Sequence, residues 1–204
     1  MPSSDETLKR MDRRVEDILA DIPGYLDAFE NAELFTGPSA YFHAKTMCLR
    51  NQAEDLCDVL WNDDFLESLY ATLTAWGMHR MGPGNTKLLN FTAFCQTIRA
   101  QEEAFVALNA YPLHDLPEDS VPHVAEQIWA CLAAIKVSPA NARMVSSTKV
   151  CHHILPQLIP PIDREYTLRF FYGRSELTIN EGDAFVEMFR RLYRIASEVD
   201  VTPF

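Results

Sequence analysis

Apolar residues in this chain return every three or four positions, and nowhere do they alternate over a sustained stretch. A half-buried sheet needs a period of two, so this regularity points to helices throughout. Residues 63–78 show it best, with Phe65, Leu66, Leu69, Tyr70, Leu73 and Trp76 in one stripe behind Asp63 or Asp64 as N-cap. Residues 5–21 repeat it through Leu8, Met11, Val15, Ile18 and Leu19, until Ile22-Pro23-Gly24 stops the helix. A short helix over about 25–35 follows, then one capped by Ser39 whose exposed side carries His43, Lys45 and Arg50. One long helix is expected over about 86–110 and another over about 121–136. Ser138-Pro139 has the Ser-then-Pro order that opens a short helix. Thr178-Ile-Asn-Glu181 reads as a capping box ahead of Phe185, Met188, Phe189, Leu192 and Ile195, with Arg190, Arg191 and Arg194 off that stripe. The expected fold is all-α, a compact set of roughly eight to ten helices. At 204 residues it is one domain, with two lobes meeting near the Pro-rich, acidic residues 111–120 as a variant.

Charge limits the choice of partner. The net charge is −11, which opposes a nucleic-acid role, but the charges are segregated. Residues 68–101 and 127–162 contain no acid and three bases each: Arg80, Lys87 and Arg99, then Lys136, Arg143 and Lys149. Two such blocks meeting in the fold make one positive face; the plainer account is that core helices carry few charges. No apolar run is long enough to cross a membrane, and the first twenty residues are charged where a signal peptide is apolar. The five cysteines are scattered and odd in number, which fits reduced thiols in a cytoplasmic protein.

The segment from Ser147 to Phe170 concentrates the chemistry. At helical spacing Val150, Cys151, Ile154, Leu155 and Leu158 share one side of a helix opened near Ser147, and Lys149, His152 and His153 share the other. Pro156 ends that helix, Pro160-Pro161 enforces an extended approach, and Asp163 stands at the N-cap of the next helix. A lysine amine attacks carbon only when neutral, so His152 and His153 are expected to act as neighbouring cations that favour the neutral amine. A solvated Lys149 and a purely structural Asp163 cap are the bland alternatives.

Ser147-Thr-Lys-Val, Pro161-Ile-Asp163 and Arg169 resemble the core of the helix-hairpin-helix DNA glycosylases, in particular the 8-oxoguanine glycosylase branch. The resemblance covers about residues 140–170. It implies Lys149 as the nucleophile toward C1′ of a damaged or abasic nucleotide and Asp163 as its electrostatic partner. His152, His153, Arg80, Lys87, Arg143, Tyr166 and Arg169 are then the candidate substrate contacts, with DNA as partner and no cofactor. Ala142-Arg-Met-Val-Ser-Ser-Thr148 lacks the family's Gly-x-Gly phosphate turn, and the Lys-to-Asp interval is short, so the relative is a divergent one. A non-catalytic helical module binding nucleic acid or protein is the rival reading.

Three further features are weaker. Gly77 to Lys87 places His79, Arg80 and Lys87 around Gly82-Pro83-Gly84, a phosphate site or a plain turn. Cys151, His152 and His153 are adjacent and so point in different directions, which argues against a metal. Trp61, Trp76 and Trp129 fit a core better than a base-stacking platform.

Overall fold

The computed structural model describes residues 4–32, 36–80, 88–177 and 179–199. No strand occurs among them, and the chain is all-α. The helices are α1 (Ser4–Ala20), α2 (Ile22–Asn31), α3 (Gly37–Gln52), α4 (Leu56–Trp61), α5 (Asp63–Ala75), α6 (Phe91–Arg99), α7 (Glu102–Leu108), α8 (Val121–Ala134), α9 (Met144–Ile154), α10 (Arg169–Tyr172) and α11 (Glu181–Glu198). They divide into two compact units. Unit 1 comprises Met1–Leu34, Leu113–Glu126 and Ile162–Phe204; unit 2 comprises Phe35–Pro112 and Gln127–Pro161. Among the described residues no helix is long and apolar enough to cross a membrane.

In unit 1, α1 packs on α10 and α11. Met11 and Val15 of α1 and Phe185, Met188 and Phe189 of α11 are buried, as their spacing predicts. Arg191 departs from the expected solvent face: it is buried and bonded to Asp12 at 2.7 Å and Glu187 at 2.7 Å. Its charge is tolerated there because two carboxylates share it. Pro23 does not simply stop α1; it lies in the first turn of α2, where Asp21 caps the Gly24 N–H at 3.1 Å. The cap of α11 is Asn180, which accepts from Gly182 N–H at 2.7 Å. The expected capping box began at Thr178, which lies outside the described residues. α10 closes on Gly173, whose φ of 71° lets its N–H reach the Arg169 carbonyl at 2.8 Å.

In unit 2, α3 and α5 form the main helix pair, and α9 packs on both. Polar groups inside that pair are satisfied locally. Thr46 Oγ1 lies 2.9 Å from Ser68 Oγ and 2.9 Å from Thr72 Oγ1, while donating to the Phe42 carbonyl. Asn62, not Asp63 or Asp64, caps α5, accepting from Phe65 N–H at 3.0 Å. α3 begins at Gly37, two residues before the expected Ser39 cap, and the Ser39 hydroxyl donates to the Thr36 carbonyl.

The long helix expected over 86–110 is two helices, broken at Ala100-Gln101. Tertiary partners hold both sides of the break. Arg99 donates to the Leu60 carbonyl and to Asp63 at 2.7 Å, and Glu102 accepts the Trp61 Nε1–H at 2.8 Å. Nor does Ser138-Pro139 open a helix; residues 137–141 form a bend whose Val137 carbonyl accepts from Leu89 N–H at 2.9 Å. In both places a distant partner outweighs a local preference.

Candidate functional site

The site grows from α9, which is buried on more than one side. Met144, Ser146, Ser147, Thr148, Val150, Cys151, His153 and Ile154 are all buried. The hydroxyls fit inside because each bonds a carbonyl: Ser146 to Arg143, Ser147 to Ile135, Thr148 to Val145. α9 ends at Ile154, where Leu155 leaves helical geometry ahead of Pro156, as the proline predicts.

His153 corrects the sequence reading. It was expected beside Lys149 off the core, yet it is fully buried. Its Nδ1 lies 2.7 Å from the Lys149 carbonyl, one turn back on the same helix, and its Nε2 lies 3.0 Å from Nδ1 of His43 on α3. Helical spacing puts the ring off the core, but an imidazole whose two nitrogens are both hydrogen-bonded can be buried. His152 is half-buried, with Nδ1 2.9 Å from the Ile159 carbonyl. Trp76, just past the C-terminus of α5, completes the cluster. Its ring lies 5.3 Å from the His153 ring and 5.7 Å from the His43 ring. Lys149 Nζ stands 5.6 Å from the Trp76 ring centroid, within the range where an indole face attracts a cation.

The imidazoles are not cations. Burial pushes the pKa of His153 down to about 3, against a partial opposing effect of the Lys149 carbonyl and with minor help from the neighbouring rings. Burial also lowers His152 and His43. At neutral pH all three are neutral rings, so the expected cationic neighbours of Lys149 are absent from this cluster.

Neutrality fixes the hydrogen positions. A carbonyl only accepts, so the protonated nitrogens facing the Lys149 and Ile159 carbonyls are Nδ1 of His153 and Nδ1 of His152. The remaining Nε2 of His153 is then an acceptor, and Nδ1 of His43 must donate to it. His43 does not lie on the solvent face expected for it with Lys45 and Arg50, since its ring meets that of buried His153. The overlooked signal is that His43, Thr46 and Arg50 share a helical face, and that face packs inward: Thr46 is buried and Arg50 Nε reaches the Ile154 carbonyl at 2.7 Å.

Asp163 belongs to unit 1, whereas Lys149 belongs to unit 2. The Asp163 carboxylate caps the turn at 164–168 that leads into α10, accepting from Glu165 N–H at 2.8 Å and Tyr166 N–H at 3.4 Å. Thr167 Oγ1 returns the bond by accepting from Asp163 N–H at 3.1 Å. Asp163→Ala is therefore expected to lose about 1 kcal/mol of stability, whereas Asp163→Asn, an equally good cap, stays within a few tenths of the parent. Urea titration of both variants checks this, and equal losses refute the capping role.

The other candidates are dispersed. Tyr166 is exposed, and Arg169 pairs with Glu165 at 2.8 Å. Arg143 bonds the Ala140 and Ala142 carbonyls beside the start of α9. The Arg80 side chain and Lys87, with the Gly82-Pro83-Gly84 turn, lie outside the described residues; His79 Nδ1 bonds the Thr74 carbonyl at 2.9 Å. Trp61 is not core: it is exposed, with Arg99 stacked 4.8 Å from its ring. Trp129 is half-buried. Cys151 is fully buried against Cys131, and burial raises its thiol well above the usual value. Among the described residues no group of His, Cys, Asp and Glu is arranged to hold a metal. In unit 1 a groove of about 470 Å³ lies between Val121 and Tyr193, but its Arg194 is already engaged by Glu16 and Glu198.

No protein-family model, curated protein or solved structure matches the chain.

Proposed function

We propose that the chain is a divergent helix-hairpin-helix glycosylase-like protein that acts on damaged or abasic DNA, with the Lys149 amine as nucleophile. The observation that carries this reading is the position of Lys149 Nζ, 5.6 Å from the Trp76 ring and beside the neutral imidazoles of half-buried His43 and His152 and fully buried His153. An amine that condenses with the C1′ aldehyde of an abasic site loses water and becomes a cationic iminium. The indole face stabilises that cation, and neutral rings do not repel it. Charge distribution supports the same reading. All six bases of the acid-free blocks fall in unit 2, which carries eight acids and eight bases, so the net charge of −11 resides in unit 1. The unit holding Lys149 therefore imposes no net repulsion on a phosphate backbone.

The test is borohydride trapping on duplex DNA containing an abasic site or 8-oxoguanine, with wild-type protein and Lys149→Ala. A covalent adduct is expected from the wild type and none from the variant. An adduct that survives in Lys149→Ala moves the nucleophile elsewhere. A band shift at low salt without any adduct replaces the enzyme by a non-catalytic DNA-binding module on the same scaffold.

A further inference from the structure

We infer that α4 and α7 present a docking surface for an arginine- and lysine-bearing peptide segment of a protein partner, with Trp61 as its anchor. Trp61 is 58% exposed, although tryptophan is highly buried on average, and its neighbours hold it in one orientation. Its Nε1–H donates to Glu102 on α7 at 2.8 Å, and the Arg99 guanidinium from the end of α6 covers its ring, 4.8 Å from the centroid. Arg99 is fixed in turn by the Leu60 carbonyl at 3.2 Å and by Asp63 at 2.7 Å. An indole held this way loses little conformational freedom on binding, and tryptophan is enriched among the residues that dominate interfaces. Val106 is also exposed and stands one turn beyond Glu102 on the same face of α7, so the apolar contact extends past the ring.

Charge decides what covers this surface. All eight acids of unit 2 lie within residues 54–67 and 102–103, and seven of them are exposed. The only base on α4, α5, α6 or α7 is Arg99. Arg99 itself displays the chemistry the face accepts, a guanidinium stacked on an indole and paired with a carboxylate. Its partner Asp63 keeps 75% of its side chain in solvent, so that carboxylate has room for a second cation. Exposed carboxylates contribute little one by one, so Trp61 supplies the affinity while the acids steer the approach and select the sign of charge. The same field repels a phosphate backbone and a second copy of this chain, whose net charge is −11. The docking surface is therefore independent of the reading of Lys149.

Fluorescence anisotropy tests this on the full chain with a fluorescein-labelled nonapeptide of alternating arginine and glycine. Saturable binding that weakens as salt rises is expected, and none for the matched peptide with glutamate in place of arginine. Trp61→Ala is expected to weaken binding at least about tenfold, the loss of an interface anchor. Asp58→Asn with Glu103→Gln, both exposed, is expected to weaken it about fivefold. Asp27→Asn with Glu30→Gln makes the same change in charge on α2 of unit 1 and is expected to leave affinity within about twofold of the parent. Equal losses in the two double variants, or undiminished binding by Trp61→Ala, overturn the site in favour of general charge attraction. In 1H–15N spectra of the wild type, the Trp61 indole N–H, assigned by its disappearance in Trp61→Phe, is expected to shift with peptide. A shift of the Trp76 or Trp129 indole alone overturns the location. Failure of the wild type to bind the arginine peptide overturns the occupant, and a dimer in sedimentation that Trp61→Ala dissolves replaces it by a second copy of the chain.

Discussion

Lowering the pH from 7 to 5 is expected to remove about 2 kcal/mol of folding stability through His153 alone, at the linkage slope of about 1.4 kcal/mol per pH unit for one proton. The ring has an ordinary value of 6.5 when unfolded and about 3 in the folded chain. The unfolded state therefore takes up the proton first. Stability is complete above pH 6.5, falls as the pH drops through that value, and stops falling on this account only near pH 3. The cause is desolvation: an imidazolium at this position loses water, and its Nε2–H meets the Nδ1–H of His43 instead of accepting from it. The titratable groups that act on it are His152 on α9 and His43 on α3, whose rings lie 5.5 Å and 5.1 Å from its own. His43 and His152 are lowered too and add to the loss with the same sign. The interval from pH 7 to 5 lies above the ordinary carboxylate range, which isolates the imidazoles. Urea midpoints at the two pH values measure the effect. His153→Phe should flatten the pH dependence by about one proton, and an unchanged slope in that variant refutes the linkage.

Phe94→Ala is expected to cost about 3–5 kcal/mol, the range for removing a buried aromatic ring and leaving its space unfilled. Phe94 is fully buried on α6, and its ring meets Tyr70 of α5 edge-on at 5.3 Å. Tyr70 is fixed in turn, since its hydroxyl donates to the Leu89 carbonyl at 2.8 Å and its ring also meets Phe91 at 5.6 Å. With both neighbours tied down, the cavity has little means to collapse, which places the cost toward the upper end of that range. Phe94→Leu keeps most of the volume and should cost about 1.5 kcal/mol. Denaturant unfolding at pH 7 distinguishes them, and a loss below about 1 kcal/mol for the alanine variant refutes the packing argument.

The helical stripes were legible in the chain because they depend only on spacing. Met11 and Val15, Phe65 to Leu73, and Phe185 to Phe189 are buried where the 3.6-residue period puts them. Caps were legible where one side chain had one place to go. Asp163 accepts the N–H groups two and three residues ahead, a bond that needs no distant partner. Pro156 likewise marks the end of α9 by its missing donor.

The failures share a cause. The helix expected over 86–110 breaks at Gln101, and a bend over residues 137–141 replaces the short helix expected to open at Ser138-Pro139. The side chains and carbonyls there bond to α4 and to Leu89, which are distant in sequence. His153 and Arg191 are buried although their types belong at the surface, and each has acceptors or carboxylates that no local pattern reveals. The sequence by itself determined the all-α class, the main buried stripes and the position of Lys149 on a Pro-terminated helix, because these follow from backbone period and from proline's missing N–H. Only the tertiary structure decided that His43 meets His153 from another helix, that Trp76 lies beside the lysine, and that the imidazoles are neutral. Those properties arise from water exclusion and from partners more than seventy residues apart, such as His43 and His153, 110 residues apart.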